Sequence, residues 1–225
     1  MAFSYTNMLA HLNIASAHPG GLAVTQKAWN RLKKYPHDVI IDAGCGTGKT
    51  LEFLTEVTKS HLIGVDQNKE MIKKAQLRLK NQSVELKLGD LKNLPFKDNS
   101  IDCIISESVV SFNEITPILN EYNRVLRPGG ILYLIEITAD QMLTKEKIDR
   151  LNQFYGTESI LTSDQWINSI NNACFNLIEY SALPATTDGQ PVQPVQPYYP
   201  YRPGFGLGIA LGAIGTLAIL PWFFT

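Results

Sequence analysis

Asp42-Ala43-Gly44-Cys45-Gly46-Thr47-Gly48-Lys49-Thr50, written DAGCGTGKT, decides how the rest of the chain is read. Two kinds of ligand compete for it. Counted from Ala43, the spacing is a small residue, four residues of any kind and then Gly-Lys-Thr, which fits a permissive phosphate loop. Counted from Asp42, it is an acid followed by glycines at every second position, which suits a ligand carrying positive charge. Val39-Ile40-Ile41 just before it reads as a buried strand, and Leu51 to Val57 just after it continues with helical spacing. In a parallel sheet the turn after such a strand lies at the carboxyl edge, where these sheets bind their ligands. Glycines there let a ligand approach the backbone, and the next helix offers its N–H groups.

The same alternation repeats along the chain. Strands are expected at His61–Asp66, Val84–Gly89, Ile101–Ser106, Ile131–Glu136 and Phe175–Tyr180. Helices are expected near Lys69–Lys80, with Asn68 as N-cap, and near Ile115–Leu126, Ala139–Phe154 and Ser163–Ala173. Arg127-Pro128-Gly129-Gly130 should stop the second of these helices and turn the chain. The fold class is therefore α/β, a doubly wound, mostly parallel Rossmann-like sheet. After Tyr180 only Ser181-Ala182-Leu183 precedes a proline-rich stretch, so a seventh strand is missing, displaced into the tail, or supplied by a segment read as helix.

Charge separates the two ligands. A carboxylate at Asp42 repels a triphosphate at close range unless a metal intervenes, whereas it favours an adenosyl ligand with an ammonium and a sulfonium. Asp66 ends the second strand about twenty residues past the loop, where an acid accepts from ribose hydroxyls. A phosphate-loop enzyme would need a magnesium-holding aspartate at a strand end. Asp102 stands at the start of its strand and strand five ends in Glu136, so neither meets that need well.

Four segments in order now carry a resemblance: Val39 to Gly48, Gly64-Val65-Asp66-Gln67, Gly89-Asp90-Leu91-Lys92-Asn93-Leu94-Pro95-Phe96, and Leu126 to Gly130. From about Asp38 to Tyr180 the chain resembles the class I S-adenosylmethionine-dependent methyltransferases, especially the small-molecule group that includes ubiquinone and menaquinone biosynthesis enzymes. The resemblance implies that fold, S-adenosyl-L-methionine as cofactor, and methyl transfer to a small-molecule acceptor. It implies that Gly44, Gly46 and Gly48 border the methionyl part. Asp42 and the backbone near Cys45 and Thr47 would then hold its amino group. Asp66 would hold the ribose hydroxyls, Gln67 and Met71 would flank the adenosine, Asp90 would accept from the adenine amino group, and Leu91 would pack on the ring. Lys49 is then a solvated residue of the first helical turn.

The acceptor side is less defined. Glu107 follows strand four, where this family often meets its acceptor, with Ser106 beside it to position a group by hydrogen bonding. Glu136 is a second candidate. His18, in His-Pro-Gly-Gly, is a candidate base near neutral pH, and as a turn residue it and His11 would do no chemistry.

Length and composition set the frame. The 225 residues are 44% apolar, enough for one full core, and 20 basic against 21 acidic side chains give no field that gathers nucleic acid. Cys45, Cys103 and Cys174 form no CxxC pair, so neither a disulfide framework nor a metal site is indicated and a reducing cytosol is expected. The first thirty residues show no secretory pattern. Residues 1–37 are read as an N-terminal helical cap, 38–183 as the cofactor-binding domain and 184–203 as a Pro/Tyr-rich linker around Gln190 to Pro197.

Residues 204–224 carry no charge. At ~1.5 Å per residue a helix of them would cross the ~30 Å core of a bilayer, with Tyr198, Tyr199, Tyr201 and Trp222 to Phe224 at the interfaces. Gly204, Gly208 and Gly212 would give it a pairing face, hence an expected membrane anchor and tail-mediated homodimer under a cytoplasmic catalytic domain. Two other functions stay open at this point: a membrane-tethered binding scaffold without turnover, and a nucleotide hydrolase using Gly48-Lys49-Thr50.

Overall fold

The computed structural model describes residues 21–139, 144–146, 148–149, 156–183 and 213–221. Helix α1 (Gly21–Leu32) is followed by β1 (Val39–Ala43), α2 (Lys49–Val57), β2 (His61–Asp66), α3 (Lys69–Arg78), β3 (Val84–Leu88) and β4 (Ile101–Glu107). A 3-10 turn (Val110–Phe112) leads to α4 (Ile115–Val125), β5 (Leu126–Ala139), β6 (Leu161–Thr162), α5 (Ser163–Asn172), β7 (Phe175–Leu183) and β8 (Ala213–Pro221). The sheet order is β3-β2-β1-β4-β5-β8-β7, with β6 pairing the end of β5. The strands β3, β2, β1, β4 and β5 are parallel, and β8 runs antiparallel to both of its neighbours. The expected doubly wound sheet is therefore present.

Successive strand residues feed opposite faces, as the two-residue period requires. Ile40, Cys103 and Ile131 join the core under α1, α2 and α3, where Trp29, Leu51, Leu54 and Ile72 cover them. Ile41, Ile104 and Leu132 join the core on the other face, under Ile118 and Tyr122 of α4 and Trp166 of α5. Burial on both faces explains why these strands are unbroken apolar runs rather than alternating ones. Local signals agree: Asn68 caps α3 by accepting from the N–H groups of Glu70 and Met71, and Thr162 with Gln165 forms a capping box on α5. The Arg127–Gly130 turn sits inside the start of β5 as a bulge, between the pairs Ile101↔Leu126 and Cys103↔Ile131.

One expectation is corrected here. Residues 213–221, read as part of a membrane helix over 204–224, form β8, the strand that fills the gap between β5 and β7. A strand buried in a sheet and a membrane helix are both uncharged apolar runs, and periodicity alone does not separate them. The β-branched residues Ile214, Thr216 and Ile219 favour the strand, glycines weaken a helix in water, and Pro221 is tolerated as the last strand residue. The missing seventh strand is thus the one displaced into the tail. Among the described residues no helix is long and apolar enough to cross a membrane. The expected pairing face of Gly204, Gly208 and Gly212 lies outside the described residues, as do the linker 184–203 and the N-terminal positions His11 and His18. The helix expected over 139–154 starts later than read, because β5 runs through Ala139.

Leu183 of β7 pairs with Ile214 of β8, and Thr138 of β5 with Ala213. Both ends of the segment 184–212 are therefore fixed at the carboxyl edge of the sheet, the edge that carries the glycine loop.

Candidate functional site

The loop between β1 and α2 turns sharply, with Gly44, Gly46 and Gly48 all at positive φ (80°, 50° and 78°). Four of its N–H groups are already used. Gly44 and Cys45 both donate to the Val65 carbonyl at 2.8 and 3.0 Å, Gly46 donates to Asp66 Oδ2 at 2.9 Å, and Gly48 donates to the Cys45 carbonyl at 2.8 Å. A phosphate loop works by aiming such donors at its ligand. Here three of the four tie the loop to the end of β2 and the fourth closes the loop on itself. Lys49 pairs with Glu52 at 2.6 Å, as a residue of the helix surface. The donor pattern argues against a bound polyphosphate. The Cys45 N–H is taken by the Val65 carbonyl, and the Cys45 side chain is buried against Gly64.

What the loop does present is negative charge. Asp42 is 3% exposed, and its Oδ2 has no hydrogen-bond partner. Burial pushes its carboxyl well above the usual range, and Glu107 and Asp66 push it further in the same direction. A buried carboxylate without a donor is costly, and a cationic group delivered by a ligand is the natural remedy. The ammonium of S-adenosyl-L-methionine fits this orphaned oxygen, and a polyphosphate does not.

Asp66 ends β2 with its Oδ2 on Gly46 and its Oδ1 accepting from Asn68 N–H at 2.8 Å. Burial raises its carboxyl, partly countered by those two bonds. It is thereby oriented at the carboxyl edge with lone pairs left for hydroxyls. Gln67 is exposed and Met71 half-buried in the first turn of α3. Asp90 is exposed beyond β3 and accepts from Lys92 N–H at 2.9 Å, while Leu91 is 7% exposed and belongs mostly to the core. Thr47 is buried, and its carbonyl accepts from Arg78 Nε at 2.9 Å, which ties α3 to the loop.

On the β4 side two expectations change. Ser106 is fully buried and bonds the Tyr122 hydroxyl at 3.1 Å, so it ties β4 to α4 and does not face a ligand. Glu136 is 1% exposed and accepts from the N–H groups of Val109, Val110 and Ser111 and from Ser111 Oγ, at 2.7 to 3.1 Å. It anchors the turn after β4 rather than an acceptor. Burial still raises its carboxyl, and these bonds pull the other way.

Glu107 stays at the site. Its Oε1 accepts from Thr25 Oγ1 of α1 at 2.7 Å and its Oε2 from Thr50 Oγ1 of α2 at 2.8 Å. Thr25 belongs to no motif, and Thr50 entered the sequence reading only as the last residue of the Gly-Lys-Thr spacing; neither was expected to bond Glu107, which lies 82 and 57 residues away. The only local hint was two small hydroxyl residues on otherwise apolar helix faces.

The comparisons with known proteins agree with this geometry. A family described as a methyltransferase domain matches residues 41–134. The uncharacterized methyltransferase YodH of Bacillus subtilis (strain 168) is 33% identical over 190 residues, 83% of this chain and 81% of that protein. Sterol 24-C-methyltransferase ERG6B of Gibberella zeae is 26% identical over 161 residues, which cover 67% of this chain but 42% of that enzyme. A crystal structure of geranyl diphosphate C-methyltransferase from Streptomyces coelicolor A3(2), with Mg2+, geranyl diphosphate and S-adenosyl-L-homocysteine, superposes with a TM-score of 0.72. It is 14% identical, with 90% of this chain and 78% of that one covered, and shows the shared fold.

Proposed function

Because the chain belongs to the class I S-adenosylmethionine-dependent methyltransferases, we propose that it transfers the methyl group to a small acceptor with an apolar body, at the β1–β4 boundary beside Glu107. The orphaned, buried Oδ2 of Asp42 is the observation that carries the site assignment. Asp42 would meet the cofactor's ammonium, Asp66 its ribose hydroxyls, and Asp90 the adenine side, a row of acids along the ends of β1, β2 and β3.

The bound cofactor supplies a methyl carbon on a positively charged sulfur. An acceptor's electron pair would form the new bond to that carbon, the bonding pair of the broken sulfur–carbon bond would stay on sulfur, and a neutral thioether would leave. No anionic leaving group has to be stabilised, so the protein's main contribution is to hold the two reactants in line. The chain's near-neutral charge supports a small acceptor over nucleic acid. The sterol relative and the geranyl diphosphate enzyme act, by their names, on small molecules with a hydrocarbon body, in the second case one that also carries a charged diphosphate, and that favours an apolar body for this acceptor too. The comparisons reach the wider family and leave the quinone-biosynthesis group as part of this proposal.

The test is calorimetry with S-adenosyl-L-methionine and S-adenosyl-L-homocysteine. A thioether-release assay over isoprenoid, sterol, phenol and amine acceptors follows. Binding of both ligands with release on an apolar acceptor is expected. Binding with no release on any acceptor would indicate a scaffold, and magnesium-dependent ATP binding in place of both ligands would overturn the reading.

A further inference from the structure

Glu107 and Thr25 define a contact that the cofactor assignment leaves unused. Ser106 of β4 lies in register with Ala43 of β1, so Glu107, one residue on, stands beside the first glycine of the loop. Along the carboxyl edge the ligand-facing acids follow the strand order: Asp90 beyond β3, Asp66 on β2, the glycine loop on β1, Glu107 on β4. Adjacent strands are about 4.8 Å apart, so the row from β3 to β4 spans roughly 14 Å, the reach of an extended nucleoside with an amino-acid tail. With adenine at Asp90 and ribose at Asp66, the sulfur end falls between β1 and β4.

There Glu107 is held from two sides. Thr25 is 2% exposed and Thr50 6% exposed, and each commits its hydroxyl to a different oxygen of the carboxylate. Charge-assisted bonds to both oxygens fix the plane and the rotamer of the group. With a hydroxyl already donated to each oxygen, the group is set as a fixed charge that meets a ligand without rearranging.

We propose that Thr25 of α1, together with Thr50, is a positioning residue of the methyl-transfer centre, which sets Glu107 as a fixed counter-anion facing the cofactor's sulfonium. The inference rests on the cofactor reading above and gives α1 a part in the reaction rather than only in the core. The positive charge that starts on sulfur leaves it with the methyl group, so a fixed anion at this end separates the charged cofactor from its neutral product. Asp42 does not separate them, since both ligands carry the same ammonium.

The experiment is calorimetric affinity for S-adenosyl-L-methionine and for S-adenosyl-L-homocysteine, measured on the full chain and on Glu107→Gln, Thr25→Val, Thr25→Ser and Asp42→Asn. Glu107→Gln should move the affinity ratio toward the neutral ligand by about tenfold, the size of one charge contact in a partly wet site. Thr25→Val should move it the same way by about threefold, as expected for one lost hydrogen bond, and Thr25→Ser should restore it. Asp42→Asn should weaken both ligands by a similar factor. If Glu107→Gln and Thr25→Val weaken both ligands equally, or leave the ratio at the wild-type value, the proposal is overturned while the cofactor reading stands. If wild-type protein binds neither ligand, the cofactor reading falls and takes the proposal with it.

Discussion

Gly44 and Val109 are in contact across the site: a Cβ placed on Gly44 would meet Val109 Cγ2 at 2.3 Å and Cγ1 at 2.8 Å. The glycine loop after β1 and the turn after β4 are thus packed as one unit, and Gly44 also holds φ at 80°. Two independent reasons exclude a side chain there, one steric and one conformational. Gly44→Ala should cost about 2–4 kcal/mol of stability and abolish measurable cofactor binding. Adding Val109→Ala should recover the steric part but leave about 1 kcal/mol of backbone strain. Thermal melts of the two single variants and the double variant check this, and strict additivity would show that the two loops are not coupled.

The buried acids set an unusual pH dependence. Asp42, Asp66 and Glu136 all have carboxyls raised in the folded state, burial being the largest cause for each. Between the ordinary carboxylate range, about 4, and those raised values, the folded chain binds more protons than the unfolded one, so stability falls as pH rises. Glu52, Glu85 and Glu121 are lowered by lysine or arginine partners and act in the opposite sense, but at and below the ordinary range. The cofactor-free protein should therefore melt higher near pH 5 than near pH 7.5. Asp42→Asn should shrink that difference and stabilise the protein at pH 7.5 by about 1–2 kcal/mol, roughly 2–8 °C in Tm. The same variant should lose cofactor affinity. A lower Tm for Asp42→Asn at pH 7.5 would mean that the carboxylate already has a stabilising partner.

These two sites also show what was legible in the sequence. The glycine loop, Asp42 and Asp66 could be placed because spacing along one βα unit fixes their positions relative to each other. Strands β1, β2, β4 and β5 were readable because two-sided burial writes a continuous apolar run, and the outer strands β3 and β7 because apolar and polar residues mix over a short β-rich segment. Glu136 was misread: a carboxylate at a strand end looks the same whether it faces a ligand or satisfies three N–H groups of a neighbouring turn. Ser106 was misread for the same reason. The Thr25–Glu107 bond joins elements that meet only after the sheet has formed, and no local pattern announces it. β8 was hidden because hydropathy measures the absence of water and not whether sheet or lipid replaces it.

Glu136 gives a prediction about the turn after β4. It accepts three N–H groups and the Ser111 hydroxyl, so a side-chain amide in its place would present N–H donors to other donors. Glu136→Gln should cost about 2–4 kcal/mol despite its similar shape, whereas Ser111→Ala, which removes one bond, should cost about 1 kcal/mol. Hydrogen exchange should show the amides of Val109, Val110 and Ser111 losing protection in Glu136→Gln, before the amides of β5 do. Equal protection in both proteins would show that the turn holds itself.

The last prediction concerns the C-terminal strand. β5 pairs with β8 from Leu132↔Ile219 to Thr138↔Ala213, and β7 pairs with β8 from Phe175↔Pro221 to Leu183↔Ile214. Removing residues 213–225 would strip a central strand and leave the facing edges of β5 and β7 with unpaired N–H and C=O groups. Such edges recruit other chains, and the Ile131–Ile135 run of β5 would be an apolar one. A chain ending at residue 212 should therefore be insoluble or unfold without a cooperative transition. The same residues read as a membrane anchor predict the reverse, because clipping an anchor releases a folded, soluble domain. Expression of the truncated chain with a solubility and thermal-melt measurement separates the two. A cooperative melt close to that of the full chain would remove β8 from the fold.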